Sequence, residues 1–366
     1  MFFCNDILYE IVKRVDPLTL CILKRVNRDF YHLINKSIVE TVLSRIHADR
    51  PGGLINVCKP DSSQLSQLKC VLSKEIICTK TPITTVPTNM PLVVNLDLSH
   101  SSQLTHLIGD FSKLQRLKLH MCTALESVNI KADFLSELNL SGCRKLCLLR
   151  VSSKQVKTLN VSGCILLPHI NVGNKLEHLI CFDCHSLSSI PSQLDKLITL
   201  NISNCTKIRS IPRVLPKVTQ FVCEKNSLYH LPKMPNVEII NCGMSKYIRC
   251  IPDGYDRLRE LYCEKSRSLR QLPRRLPSLT VLVCNDNIIL VNLPEFADQL
   301  YFINCSGCRL IRHIPRNVSR KLLYLTCNRY QFSTFNYLRF IRVNYIESDI
   351  ESDIESDTES DTENDL

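Results

Sequence analysis

No apolar run in this chain approaches the about 18 residues of a membrane-spanning helix, so a helical transmembrane segment is not expected. The opening residues, MFFCNDILYE, carry Asp6 and Glu10 and no basic lead, which argues against a secretion signal. No phosphate-binding loop, paired carboxylates or nucleophile–base constellation stands out, so no catalysis and no cofactor is expected. Lys and Arg are missing altogether from Ile346 to Leu366, a stretch that holds ten of the 35 acidic residues. The body before it therefore carries all 46 basic residues against 25 acidic ones, a formal +21 hidden inside the net +11. A strongly basic body can signal nucleic acid. Here the bases are scattered (Arg213, Lys217, Lys233, Arg274, Arg275, Arg316, Arg320, Lys321), and nucleic acid is not the expected partner.

What the chain does have is repetition. LQRLKLHMCTALESV begins at Leu114, LSELNLSGCRKLCLL at Leu135, VKTLNVSGCILLPHI at Val156 and LITLNISNCTKIRSIP at Leu197. Successive registers start at Val93, Leu114, Leu135, Val156, Leu176, Leu197, Val218, Val237, Leu258, Leu279, Leu300 and Leu322. Each places apolar residues at offsets 0, +3 and +5, Cys, Ser or Asn at +8, apolar residues at +11 and +14, and often Pro at +15. A fixed period of this length is the mark of a solenoid. The three leading apolar positions suit a short extended segment that cannot bury its apolar side alone, but does so when stacked on its neighbours. The +8 residue falls where the chain turns away, and a polar or thiol group there can meet buried backbone groups. Prolines at +15 (Pro191, Pro212, Pro252, Pro273, Pro294, Pro315) fix φ and remove a donor, so the returns are expected to be extended or 3₁₀.

The motif LxxLxLxxCxxLxxLP, recurring about twelve times, resembles leucine-rich repeats. The resemblance implies an α/β-class solenoid with a parallel sheet on its concave face, running through residues 72–330. The segment from Leu72 reads as a weak repeat carrying Ile77, Lys80, Ile83, Val86 and Pro87. Residues 47–71 read as linker and N-terminal cap, and 331–345, crowded with aromatic and aliphatic residues, as the C-terminal cap. The tail 346–366, a fourfold ESD-type run, has too little apolar content to order itself. Its Ser348, Ser352, Ser356 and Ser360 each precede Asp and stand three before Glu, as in substrates of acidophilic kinases; a solubilising or charge-screening tail is the competing reading.

Twenty cysteines would suggest disulfides in a small secreted protein, but the period accounts for most of them. Seven occupy +5 (Cys181, Cys223, Cys242, Cys263, Cys284, Cys305, Cys327) and six occupy +8 (Cys122, Cys143, Cys164, Cys184, Cys205, Cys308). Cys181/Cys184 and Cys305/Cys308 have the CxxC spacing of a zinc site, yet they are only +5 and +8 of ordinary repeats, so no metal is expected. Reduced thiols buried as small hydrophobes point to a reducing interior, cytosol or nucleus.

Residues 1–46 do not repeat. They read as short helices with apolar stripes, the first broken at Asp16-Pro17. DILYEIVKRVDPLTLCILKRVNRDFYHLI resembles an F-box. The acidic-Leu-Leu start is met by Asp6, Ile7 and Leu8, the helix by Ile11, Val12 and Val15, and the break by Asp16, Pro17 and Leu20. Leu23, Val26, Asn27, Arg28, Phe30 and Leu33 match the last part. Cys4-Asn5 stands where Leu-Pro is usual, and Phe30 where Trp is commoner. The repeat style and the F-box together are similar to expanded F-box/leucine-rich families of giant DNA viruses of amoebae. The resemblance implies that Ile7, Leu8, Ile11, Val12, Val15, Pro17, Leu20, Leu23 and Val26 dock on a Skp-type adaptor and, through it, a cullin, the host's if the chain is viral.

Offsets +2, +4 and +6 should face away from the core, onto the surface that solenoids offer to large partners. They give Arg116, Lys118, His120, His178, Phe182, Gln220, Glu224, Glu260, Tyr262, Glu264, Phe302 and Tyr324 as candidate contacts to a target protein. Between them, Asn139/Ser141, Asn160/Ser162, Asn201/Ser203 and Asn241 form small polar rungs, read either as contacts or as a side-chain ladder along the sheet. The function expected is that of a monomeric substrate receptor of a cullin-type ubiquitin ligase. The alternative is an interaction scaffold without ubiquitin chemistry.

Overall fold

The computed structural model describes residues 74–328 and 342–346, which fall into two compact units. The first comprises 74–228 with 232–234, and the second 229–231 with 235–328 and 342–346. Each is a parallel-sheet solenoid of the leucine-rich-repeat class.

The first unit contains β1 (Glu75–Ile77), β2 (Asn95–Asp97), β3 (His106–Asp110), β4 (Arg116–Lys118), β5 (Ser127–Lys131), β6 (Glu137–Asn139), β7 (Leu148–Val151), β8 (Thr158–Asn160), β9 (His178–Ile180), β10 (Thr199–Asn201) and β11 (Gln220–Val222). Strands β1, β2, β4, β6, β8, β9, β10 and β11 pair in that order, all parallel. Register is one rung to the next, as in Leu117↔Leu138 and Leu138↔Leu159. Each main strand covers offsets +2 to +4, and its central residue points inward. Positions 0, +3 and +5 are sealed: Leu135, Leu138 and Leu140 are at most 1% exposed, as are Leu197, Leu200 and Ile202.

The hydrogen-bond ladder outruns the strands. The +5 amide still donates to the next rung (Leu119 N to Asn139 O, 2.8 Å), and so does +7 (Met121 N to Ser141 O, 2.7 Å). At +7 the backbone enters the left-handed region in rung after rung, through His100, Met121, Gly142, Gly163, Asp183, Asn204 and Lys225. That residue reverses the chain. The +8 side chain then drops into the core.

On the return side, β3, β5 and β7 form a second parallel sheet. Its strands include the +15 residues Ile108, Asn129 and Arg150, which have amides to donate. Where proline enters the returns, at Pro168, Pro191 and Pro212, only single bridges remain, His169↔Ser189 and Val214↔Lys233. The extended returns expected from the prolines are present, and in the proline-free rungs they go further and pair.

The second unit contains β12 (Ile239–Asn241), β13 (Glu260–Tyr262), β14 (Val281–Val283), β15 (Phe302–Asn304), the one-turn α1 (Arg316–Ser319), β16 (Tyr324–Asn328) and β17 (Arg342–Ile346). Its six strands are again parallel and consecutive. The left-handed +7 residues are Met244, Lys265, Asp286 and Gly307.

Three expectations need correction. The first rung starts one residue later than Leu72: β1 pairs Glu75↔Asn95, so Ile76 and Cys78 fill the core, and Ile77 lies half-buried on the opposite face. A one-residue slip exchanges the faces of a strand. The stretch assigned to a C-terminal cap ends in β17, a further rung that includes Ile346, the residue placed at the start of the tail. Offset +6 is also not uniformly outward: Ser99, Ser162 and Ser306 are at most 6% exposed, because the chain has begun to turn there. Among the described residues no helix is long and apolar enough to cross a membrane.

Candidate functional site

The functional surface is set by the turn beneath it. In several rungs the +5 carbonyl accepts two bonds: Leu119 O receives its own rung's Cys122 N–H at 3.2 Å and the next rung's Cys143 thiol at 3.0 Å. Leu140 O receives Cys143 N–H and the Cys164 thiol, and Val161 O receives Cys164 N–H and the Cys184 thiol. Asn226 fills the same role with its amide, donating to Ile202 O at 2.9 Å and accepting from Leu228 N. In the second unit, Ser266, Asn287 and Cys308 donate to Cys242 O, Cys263 O and Cys284 O. The +8 residue was expected to serve its own turn, and it serves the preceding rung as well.

The Asn residues at +4 are explained by a second local device. Oδ1 of Asn139, Asn160 and Asn201 accepts the +6 backbone N–H of Ser141, Ser162 and Ser203, each at 3.0 Å. Asp97 and Asn304 do the same for Ser99 and Ser306. These are Asx turns closing each strand, not a ladder running along the sheet. They close the strand only in the rungs that carry Asp or Asn at +4.

In the first unit, Arg116 and Lys118 are exposed on β4, and Arg116 Nε lies 4.0 Å from Glu137 Oε2. His120 is half-buried, its ring edge-on to His100 at 4.9 Å, and its Nδ1 has no hydrogen-bond partner. Burial foremost, then the adjacent His100, holds its imidazole below the usual histidine range; Asp97 opposes this and Lys118 adds to it. His178 is half-buried beside Thr199 Oγ1 at 2.9 Å, Phe182 is 42% exposed, and Glu224 is half-buried.

In the second unit, β13 presents Glu260 and Tyr262, followed by Glu264 at +6, with Tyr262 OH donating to Glu260 Oε2 at 3.0 Å. Burial, then that bond, raises the Tyr262 phenol. The Glu264 carboxylate lies over Gly243, where a Cβ would meet it at 2.9 Å, and its Oε2 is buried without a hydrogen-bond partner. Phe302 on β15 is half-buried, and Tyr324 on β16 is 41% exposed with the Arg342 guanidinium 5.9 Å from its ring centre. This face is therefore acidic and aromatic, whereas that of β4 is basic.

Among the described residues, no set of three or more His, Cys, Asp or Glu side chains is placed to hold a metal. Cys205 Sγ donates to Cys181 O at 2.8 Å and Cys184 Sγ to Val161 O at 3.1 Å, and all three thiols are buried. The adaptor candidates Ile7, Leu8, Ile11, Val12, Val15, Pro17, Leu20, Leu23 and Val26 lie outside the described residues, as do Ser348, Ser352, Ser356 and Ser360. Sequence reasoning missed the left-handed +7 position. The signal was there in Gly142, Gly163 and Gly307, but the other rungs hide it behind Lys, Met, His, Asp and Asn.

No family model matches this chain. It is 27% identical over 201 residues to the disease resistance protein RPS4B of Arabidopsis thaliana, a match covering 50% of this chain and 17% of that protein. Among solved structures, YopM from Yersinia enterocolitica is similar with a TM-score of 0.36 at 18% identity, covering 78% of this chain and 80% of that one. A leucine-rich repeat protein from Bacteroides ovatus gives a TM-score of 0.39 at 15% identity, over 70% and 88%. The functional domain of InlJ from Listeria monocytogenes, which includes a cysteine ladder, gives 0.33 at 18%, over 75% and 68%.

Proposed function

We propose that this protein is a binding module that captures a target protein on the outward +2/+4 face of its rungs. The observation that carries the reading is the pair Glu260 and Tyr262 with Phe302 and Tyr324. Aromatic and charged side chains there stand on strands whose positions are fixed by hydrogen bonds at both ends. Rigidly held aromatics lose little entropy on binding and are the usual anchors of an interface.

In the fuller form of this proposal, the F-box-like residues 6–33 dock on a Skp-type adaptor, and the chain presents its target to a cullin-type ubiquitin ligase. The chain would contribute effective concentration, with the chemistry done elsewhere in the complex. Cytosol or nucleus is the compartment this requires. The four tail serines are its candidate phosphorylation sites. The test is capture of a purified Skp-type adaptor by the full chain and by the Leu8→Asp/Ile11→Asp variant. Capture by the first and not the second supports the receptor. If neither captures it, the chain is a scaffold without a ubiquitin role.

A further inference from the structure

The second unit carries six exposed basic side chains on one flank, at offsets +9 and +12: Lys246, Arg249, Arg267, Arg270, Arg309 and Arg312. They are stacked, not merely near in sequence. Arg270 N donates to Arg249 O at 2.9 Å, Val291 N to Arg270 O at 3.3 Å, and Ser268 Oγ to Lys246 O at 2.6 Å. Successive rungs are about 4.8 Å apart, so like charges stand close. The three segments that bear them (246–250, 267–271, 309–313) and the one between them without a base (288–292) contain no acidic residue.

Four bases elsewhere have a carboxylate one rung away: Arg116 with Glu137, Lys131 with Asp110, Lys157 with Glu177, Arg274 with Glu295. Among the described residues none of the six forms an ion pair. Set among them are exposed apolar side chains, Tyr247, Ile288, Val291 and Leu310, each at least 43% exposed. The band therefore asks for a ligand that is anionic and also carries regularly spaced aliphatic groups.

The geometry points to this chain's own segment 347–366 as that ligand. Three features select it. Its sequence, ESDIESDIESDTESDTENDL, has ten acidic residues, no base, and isoleucines at Ile350 and Ile354. Strand β17 runs parallel to β16 with Asn328↔Ile346, so the chain leaves Ile346 at the edge where the other strands turn out towards +9 and +12. Reach is ample: twenty residues extend to about 66 Å, while the five rung steps from β17 back to β12 span about 24 Å. A free polyanion such as RNA would satisfy the charges but not the apolar side chains, and it lacks the tether that raises local concentration. The segment thus covers the band in cis and releases it when a competing anion or a partner displaces it.

The test uses the full chain with Arg249→Lys, Arg270→Lys and Arg312→Lys, which keep the charge and supply amines for carbodiimide cross-linking to carboxylates. Mass spectrometry on mixed isotopic samples should find segment 347–366 joined within one chain to positions 246, 249, 270 and 312. These links should be at least about ten-fold more frequent than links to Lys113, Lys145 and Lys157, and should fade in about 0.5 M salt. An even spread over all lysines, or links only between chains, overturns the proposal. A labelled synthetic peptide of residues 346–366 gives the second arm. It should bind the full chain whose ten tail carboxylates are changed to amides at least about ten-fold more tightly than it binds the unaltered chain. Equal affinity overturns the proposal, as does a tail-neutralised chain that takes up single-stranded RNA but not the peptide. Neither arm involves an adaptor or a target, so failure here leaves the proposed function standing.

Discussion

Asn226 shows what one side chain does in this fold. It donates to Ile202 O and Cys205 O and accepts from Leu228 N, all buried. Asn226→Leu keeps the volume but strands these groups, and should cost about 2–3 kcal/mol in urea unfolding. Several of the buried thiols are chemically quiet. Burial pushes Cys122 up to about 11 and Cys164 up to about 12, against the small downward pull of backbone bonds, and Cys242, mainly by burial, up to about 12. Among the cysteines of the described residues, native-state alkylation should modify Cys147 and Cys250, which are exposed, and spare the fourteen that are buried, with site-resolved mass spectrometry as the readout. The linkage is of the raised kind. The neutral thiol is favoured by the fold, so stability is complete below the ordinary thiol value of 9.0 and falls as pH rises from there towards about 12. A urea midpoint at pH 10 lower than that at pH 7.5 is the expected result. His120 works in the opposite direction. Its lowered imidazole disfavours the charged form in the fold, so its contribution is present above the usual histidine value of 6.5 and is lost as pH falls below it. An NMR titration midpoint for His120 below 6.5, moving upward in His100→Ala, checks the sign.

At the scale of the element, the turn at +7 is the least forgiving position. Lys265 sits at φ 53°, with its amide bonded to Asn285 O at 2.9 Å. Lys265→Val should cost about 1–2 kcal/mol because a β-branched residue resists the left-handed region, while Lys265→Gly should be close to neutral. Gly109 on β3 is constrained by space rather than φ. A Cβ there would strike the Thr88 carbonyl that receives Asp110 N–H, so Gly109→Ala should destabilise by about 1–3 kcal/mol. These are the features the sequence hides. The leucines at 0, +3 and +5 are legible because burial forces one chemical class on one position. The +8 residue is legible because only small donors fit there. A backbone angle leaves no such trace when an exposed side chain of any kind can occupy it. Offset +6 misleads for a related reason: strand alternation predicts it outward, but the strand has ended at +4, and Ser162 follows the turn inward.

For the whole molecule, what the chain recognises depends on which surfaces its charges leave open. Tyr262→Ala and Phe182→Ala should weaken target capture several-fold while shifting the melting temperature by less than about 2 °C, since neither side chain belongs to the sealed core. A collapse of stability would show that the face is structural. The same variants should still capture the Skp-type adaptor, because the residues proposed to dock there lie in a different part of the sequence. The face was only half visible beforehand. Its composition could be read residue by residue, but the contrast between a basic β4 and an acidic, aromatic β13–β16 emerges only when the rungs are laid side by side.

The paired hydrogen bonds accepted by the +5 carbonyls have an evolutionary corollary. Because Cys143 does for Leu119 what Cys164 does for Leu140, excising the codons for residues 135–155 would seat Cys164 on Leu119 and keep that carbonyl's thiol donor. Genes of this design can lengthen or shorten by whole periods through unequal recombination, whereas loss of a single codon inside a strand would be purged.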